Sequence, residues 1–211
     1  MKTLQEIWHQ VPPDYYQKGV KKSLLQKMWH TGKIITISKT IKEEIKNPKN
    51  ILDVGCASGW FLNELSKIFP MSKLTGIDVY STAIKYGKKK YRNLKFYLAD
   101  AHELPFKSNS FDVVICTEVL EHVENPKEVI KEIRRVLKKT GVGIIEMDSG
   151  NIAFKIVWYW WTNIRKGIWQ DAHIQAFNSS KLENMLKRNG LKIKKKKSFN
   201  YSMAVSFTVK K

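Results

Sequence analysis

The stretch Ile51-Leu52-Asp53-Val54-Gly55-Cys56-Ala57-Ser58-Gly59-Trp60-Phe61-Leu62 limits the fold of this chain more than any other. Ile51 to Val54 is a short β-rich apolar run. The small residues Gly55, Ala57, Ser58 and Gly59 follow, and then a helical pattern begins. That order reads as a strand, a tight turn and a helix N-terminus. Glycine has no Cβ and tolerates positive φ, so such a turn lets backbone approach a ligand closely. The helix beyond it offers free N–H groups and the positive end of its dipole. A dinucleotide turn of the G-x-G-x-x-G kind would need glycines at 57 and 60, where the chain has Ala57 and Trp60. Asp53 precedes Gly55 by two residues and can reach the far side of the turn.

Three more strands follow, each with an acid at its carboxyl end. Lys73 to Asp78 is the second and Phe96 to Ala101, with Asp100, the third. Ser110 to Cys116 is the fourth, running into Thr117-Glu118-Val119-Leu120-Glu121-His122. At these residues the chain resembles the class I S-adenosylmethionine (SAM)-dependent methyltransferases. The similarity is to the branch with an acid two residues before the glycine turn, an acid after strand 2, D-A-x-x-L-P-F after strand 3 (Asp100 to Phe106) and E-x-x-E-H after strand 4 (Glu118 to His122). It is strong over about residues 50 to 148. It implies a Rossmann-like, doubly wound α/β sheet of seven strands in the order 3-2-1-4-5-7-6, with the last strand antiparallel and a helical cap at the N-terminus. The implied cofactor is SAM. Asp53, Gly55, Cys56, Ala57, Gly59, Asp78, Val79, Asp100, Ala101 and Glu118 are its expected neighbours. Asp78 would accept from both ribose hydroxyls, Asp100 and Ala101 would hold the adenine, and the turn at Gly55 would face the methionine end. Ala57 replaces the middle glycine of the pattern and narrows the clearance there. A second reading makes Asp100 a cap for the segment at His102.

The chain has 211 residues, 43% of them hydrophobic, enough for one α/β domain with a full core. The expected divisions are a helical cap (1–46), a SAM-binding core (47–148), an aromatic acceptor-side insertion (149–178) and a final helix with a β-hairpin (179–211). The predicted details include a helix from Ser58 to Phe69, a helix capped by Ser81, and an amphipathic helix from Pro126 that buries Val129, Ile130, Ile133, Val136 and Leu137. Gly141 should end that helix and Val142 to Met147 form a fifth strand. Leu191 to Ile193 and Tyr201 to Val209 should be the last two strands, with Lys194 to Lys197 a charge run protecting an edge or turn. The net charge of +19 favours an acidic partner such as nucleic acid, anionic lipid or a phosphorylated carrier. Its lysines are spread through almost every helix, as solvated faces would be. Two cysteines outside any disulfide pattern and the lack of an apolar signal core suit a reducing cytoplasm.

Ile152 to Trp161 is nearly all apolar or aromatic, interrupted by Lys155 and followed by Arg165, Lys166 and Trp169. It is too short and too charged to span a bilayer. Segment 152–169 can line a greasy acceptor pocket, touch a membrane surface from the cytoplasmic side, or pack as core. Trp158, Trp160 and Trp161 cannot all face one side of a helix. Methyl transfer from a sulfonium is an in-line displacement, so alignment and desolvation can supply much of the catalysis. An oxygen or nitrogen acceptor also needs a base, for which His173 and then His30 are the candidates. His30 would sit in an acceptor pocket with Tyr16 and Trp29. Glu118, Glu121 and His122 raise a metal-assisted alternative, with His173 as a further ligand. The leading expectation is a methyltransferase acting on a small-molecule, lipid or glycan acceptor. An RNA methyltransferase and a non-catalytic SAM-binding scaffold are the alternatives.

Overall fold

A computed structural model describes residues 10–164 and 178–211. Two helices come first, α1 (Tyr15–Lys22) and α2 (Leu24–Glu44), the second capped by the Ser23 hydroxyl, which accepts from the Gln26 N–H. Then β1 (Asn50–Val54), α3 (Trp60–Ile68), β2 (Lys73–Asp78), α4 (Ser81–Lys90) and β3 (Lys95–Leu98) alternate. The second half holds β4 (Phe111–Thr117), α5 (Pro126–Val136), β5 (Leu137–Asp148), α6 (Ile152–Tyr159), α7 (Ser179–Arg188), β6 (Lys192–Phe199) and β7 (Ala204–Lys210). The sheet runs β3-β2-β1-β4-β5-β7-β6, and β7 is antiparallel to both of its neighbours. The expected order and the reversed last strand are both present.

The period-two alternation of the strands feeds two cores, one on each face of the sheet. Ile51, Val113, Ile115 and Ile144 point to the side covered by Ile37 and Ile41 of α2 and Leu62 and Leu65 of α3. Leu52, Val54, Val114, Cys116 and Ile145 point to the other side, under Val129, Ile130, Ile133 and Val136 of α5 and Leu182 and Leu186 of α7. Each of these aliphatic side chains contributes ~1.5–3 kcal/mol by leaving water.

Several expected boundaries move. Helix α3 starts at Trp60, because Gly59 takes φ 80 and ends the turn there. Ser81 does not cap α4: Tyr80 holds that position, and its N–H goes to Asp78 Oδ1 at 2.8 Å. Leu137 is the first residue of β5 and pairs with Phe111, so the strand runs on through Gly141. The lysine run 194–197 lies inside β6, the sheet edge, where Lys194 meets Glu44 at 2.6 Å and Lys195 and Lys197 meet Glu43 at 3.0 and 3.1 Å. Strand β7 begins only at Ala204, because Asn200, Tyr201 and Ser202 all take positive φ in the β6–β7 turn.

Candidate active site

The carboxyl ends of the parallel strands open into a cavity of about 1260 Å³. That exceeds the ~300–1,000 Å³ typical of a single-ligand pocket. At its floor the turn after β1 places Gly55, Ala57 and Gly59 at φ 76, 47 and 80. A Cβ on Gly55 would lie 2.3 Å from Val119 Cγ2, and one on Gly59 2.4 Å from the Phe96 ring, so neither position takes a larger residue. Ala57 carries its Cβ in the left-handed region at a cost of ~1–2 kcal/mol. Its N–H donates to Asp78 Oδ2 at 2.8 Å, which offsets part of this. Asp78 thus ties the glycine turn to the start of α4 through one N–H on each oxygen. Burial raises its carboxyl above the usual range, opposed by these N–H groups.

Of the expected cofactor residues, Gly55, Ala57, Asp78, Val79, Asp100, Ala101 and Glu118 line the cavity. Asp53, Cys56 and Gly59 are not among its lining residues. Asp53 is 2% exposed beneath the turn, and burial, with the Asp78 charge, pushes its carboxyl up to about 8 despite Lys33. Cys56 is buried with Sγ turned toward Gly76, and Gly59 faces the Phe96 ring. Asp100 takes the capping role: its Oδ1 accepts the His102 N–H at 2.8 Å and stands 2.6 Å from His102 Nδ1. Against burial, these contacts hold its carboxyl below the usual range. Both use one oxygen, so the cap does not remove Asp100 from the cavity wall.

One feature of the site has no counterpart in the sequence expectations. Lys33 is 4% exposed, and its Nζ stands 2.9 Å from Glu118 Oε1 and 3.3 Å from Glu146 Oε2. The Trp29 indole N–H donates to the same Glu118 oxygen at 2.8 Å. Burial would raise Glu118, but the Lys33 charge, with His30 and these donors, holds it at about 2. Glu146 is pushed up to about 8 by burial, and neither of its oxygens has an aligned hydrogen bond. The Lys33 ammonium stays charged, because the two glutamates more than offset its burial. The signal was present: Trp29, Lys33, Ile37 and Ile41 recur every four residues, so Lys33 lies on the buried stripe of α2.

The far wall is aromatic. Trp29 lies 6.3 Å from Phe154, which stacks on Trp158 at 5.6 Å and 20°. Trp161 completes it, while Trp160 is not among the lining residues. His30 packs edge-on to Tyr16 at 5.3 Å and to Trp60 at 5.5 Å. Burial and the Lys33 charge push His30 down to about 4, so it is neutral and weakly basic. His30 stands in the cavity wall, where burial makes it a weaker base than a free histidine. His173, with Arg165, Lys166 and Trp169, lies outside the described residues.

Glu121 and His122 also line the cavity, but Leu120–His122 is a single 3-10 turn rather than an α-helix, and Glu118 precedes it at φ 53. The shared helical face that a metal site would need does not form. Among the described residues no three His, Cys, Asp or Glu side chains are grouped to hold an ion.

The acids give the site a pH signature. Asp53 and Glu146 at about 8 and Asp148 at about 6 lie above their unfolded values, so the folded state binds more protons through this window. Their effect makes stability fall as pH rises from about 4 to 8. Glu118 at about 2 and His30 at about 4 work oppositely: the first contribution is lost as pH falls below about 4.5 and the second as it falls below about 6.5. The three raised acids outnumber His30 above about pH 5. The ligand-free protein should therefore melt at its highest temperature near roughly pH 5. A melting temperature that rises steadily from there into the alkaline range would contradict this assignment.

Residues 52–145 match the family described as a methyltransferase domain. The match runs from within β1 to within β5, the part of the chain that carries the glycine turn, Asp78, Asp100 and Glu118. An uncharacterized protein of Methanocaldococcus jannaschii is 35% identical over 153 residues, 71% of this chain and 64% of that one. A demethylmenaquinone methyltransferase of Thermotoga maritima is 32% identical over 95 residues, 45% of this chain and 42% of that protein. The chain thus spans less than two thirds of either relative. A SAM-dependent methyltransferase from Aquifex aeolicus shares the fold, with a TM-score of 0.69 at 16% identity over 94% of this chain and 97% of that one. The solved-structure likeness shows the fold, and the family match falls on the strands whose carboxyl ends carry the cavity's acids.

Proposed function

We propose that the chain transfers a methyl group from SAM to an apolar small molecule of lipid-like or glycolipid character. The observation that carries this is one continuous cavity, polar and acid-lined at the glycine turn and aromatic at the wall of Trp29, Phe154, Trp158 and Trp161. The residues present suit the cofactor. Each Asp78 oxygen accepts one backbone N–H and keeps a lone pair for a vicinal diol. Gly55 leaves room where a side chain would collide, and Asp100 beside Ala101 offers an acceptor and a backbone donor for a base edge. When bound, SAM supplies an activated methyl group. The chain's part is to orient it through Asp78, Val79, Asp100, Ala101 and the 55–59 turn, and to keep water off with the aromatic wall. Glu118, ionised beside the cavity, complements a cationic ligand. An amine or hydroxyl acceptor also requires a base, and His173 is the proposed one.

The test is transfer of labelled methyl from SAM to fractionated lipid, glycan and tRNA extracts. Label in the organic phase is the expected result; label confined to RNA would move the reading to the RNA alternative, which otherwise rests on charge alone. With the acceptor known, His173→Ala should lower kcat by ~10²–10⁴ with SAM binding preserved. Equal turnover in mutant and parent would remove His173 from the mechanism.

A further inference from the structure

We propose that the mouth of the cavity docks on an anionic lipid bilayer, with α6 lying in the plane of the membrane interface. The proposal rests on the reading of the acceptor as lipid-like and adds where that acceptor enters. Six large apolar residues both line the cavity and are exposed: Leu24 (73%), Leu25 (47%), Met28 (42%), Val79 (42%), Val157 (38%) and Tyr201 (78%). Val79 follows β2; the other five come from α2, α6 and the β6–β7 turn, so the opening is apolar on three sides. Contiguous exposed apolar surface of this kind marks an interaction site.

Helix α6 extends the rim outward. Ile152, Ile156 and Tyr159 recur at four and three residues and stay exposed, while Phe154 and Trp158 turn toward the cavity. A helix apolar on both faces needs cover on both. The charge identifies the cover. Residues 15–42, 149–164 and 198–211, which carry the rim, contain no Asp or Glu, and Lys21, Lys22, Lys27 and Lys155 stand exposed among the apolar positions. A second copy of the chain would set like charges against each other across the interface. An anionic bilayer accepts the aliphatic and aromatic side chains at its acyl boundary and pairs the lysines with its headgroups. No helix among the described residues is long and apolar enough to cross a membrane, so α6 would lie on it. An acceptor with an acyl or isoprenoid tail could then pass from the leaflet into the cavity without crossing water.

The experiment is sedimentation of the full chain with vesicles of phosphatidylcholine alone and of phosphatidylcholine mixed with phosphatidylglycerol. The chain should co-sediment with the anionic vesicles, and less so as salt is raised. Ile152→Glu with Ile156→Glu should weaken partitioning roughly tenfold or more by removing inserted apolar area. Lys21→Glu with Lys22→Glu should do so by at least about fivefold per position. Neither pair lines the cavity, so unchanged SAM affinity in the variants serves as the folding check. Absence of the parent chain from anionic vesicles, or equal partitioning of parent and Ile152→Glu/Ile156→Glu, overturns the proposal. A dimer abolished by Ile156→Glu overturns it too, by placing a second copy on this face. Methyl transfer by a chain that ignores vesicles removes the docking and leaves the function standing, whereas vesicle binding without transfer to any acceptor does the reverse.

Discussion

Replacing Lys33 with methionine should cost about 3–5 kcal/mol of folding stability, read as the shift in a urea denaturation curve, because it strips a buried pair of its cation. The side chain of Lys33 is 5% exposed and that of Glu146 is fully buried. With the ammonium gone, Glu118 would face the cavity wall uncompensated and take up a proton to relieve the cost. The loss should therefore be larger in alkaline than in mildly acidic buffer. Adding Glu118→Gln and Glu146→Gln to Lys33→Met should restore part of the stability, since the charges that needed Lys33 are then absent. A single-variant loss under ~1 kcal/mol would mean that the cluster is solvated and contributes as a surface pair does.

Asp78→Ala should weaken SAM binding by ~1.5–3 kcal/mol, the range for hydrogen bonds to a charged group. Calorimetry gives the direct readout. The variant should also lose thermal stability, because the Ala57 and Tyr80 N–H groups would both be left without their acceptor. Asp78→Asn separates the two effects. Its amide oxygen can keep one of the N–H partners, so stability should recover more than affinity does. A dissociation constant unchanged in Asp78→Ala would remove this residue from the cofactor site, leaving it a brace for the turn.

The order of the sheet was legible because each parallel strand is a short apolar run closed by an acid or a small-residue turn, and those are local signals. The place of Asp78 and Asp100 at the cavity was legible the same way, from their position just past a strand. Boundaries set by contacts distant in sequence were not legible. Leu137 fits the apolar stripe of α5 and is drawn into β5 only by its pairing with Phe111. Asp53 reads as a ligand residue because it stands beside the glycine turn, and only the packed sheet shows that its side chain is buried away from the cavity. The Lys33–Glu118–Glu146 cluster needs three elements brought together before its chemistry exists. Its hints were an acid within the apolar run of β5 and a lysine on a buried helical stripe.

Helix α2 has a property that follows from where its donors fall. Trp29 and Lys33 are one turn apart and both donate to the same oxygen of Glu118. An α-helix advances about 100° per residue, so two donors meet one acceptor only at a spacing of three or four. Inserting a single residue between them would make the spacing five and swing one away, while leaving composition and helix propensity almost unchanged. The segment is thus intolerant of insertions in a way that its sequence letters alone do not announce. Within α2, what Glu118 reads is rotational phase.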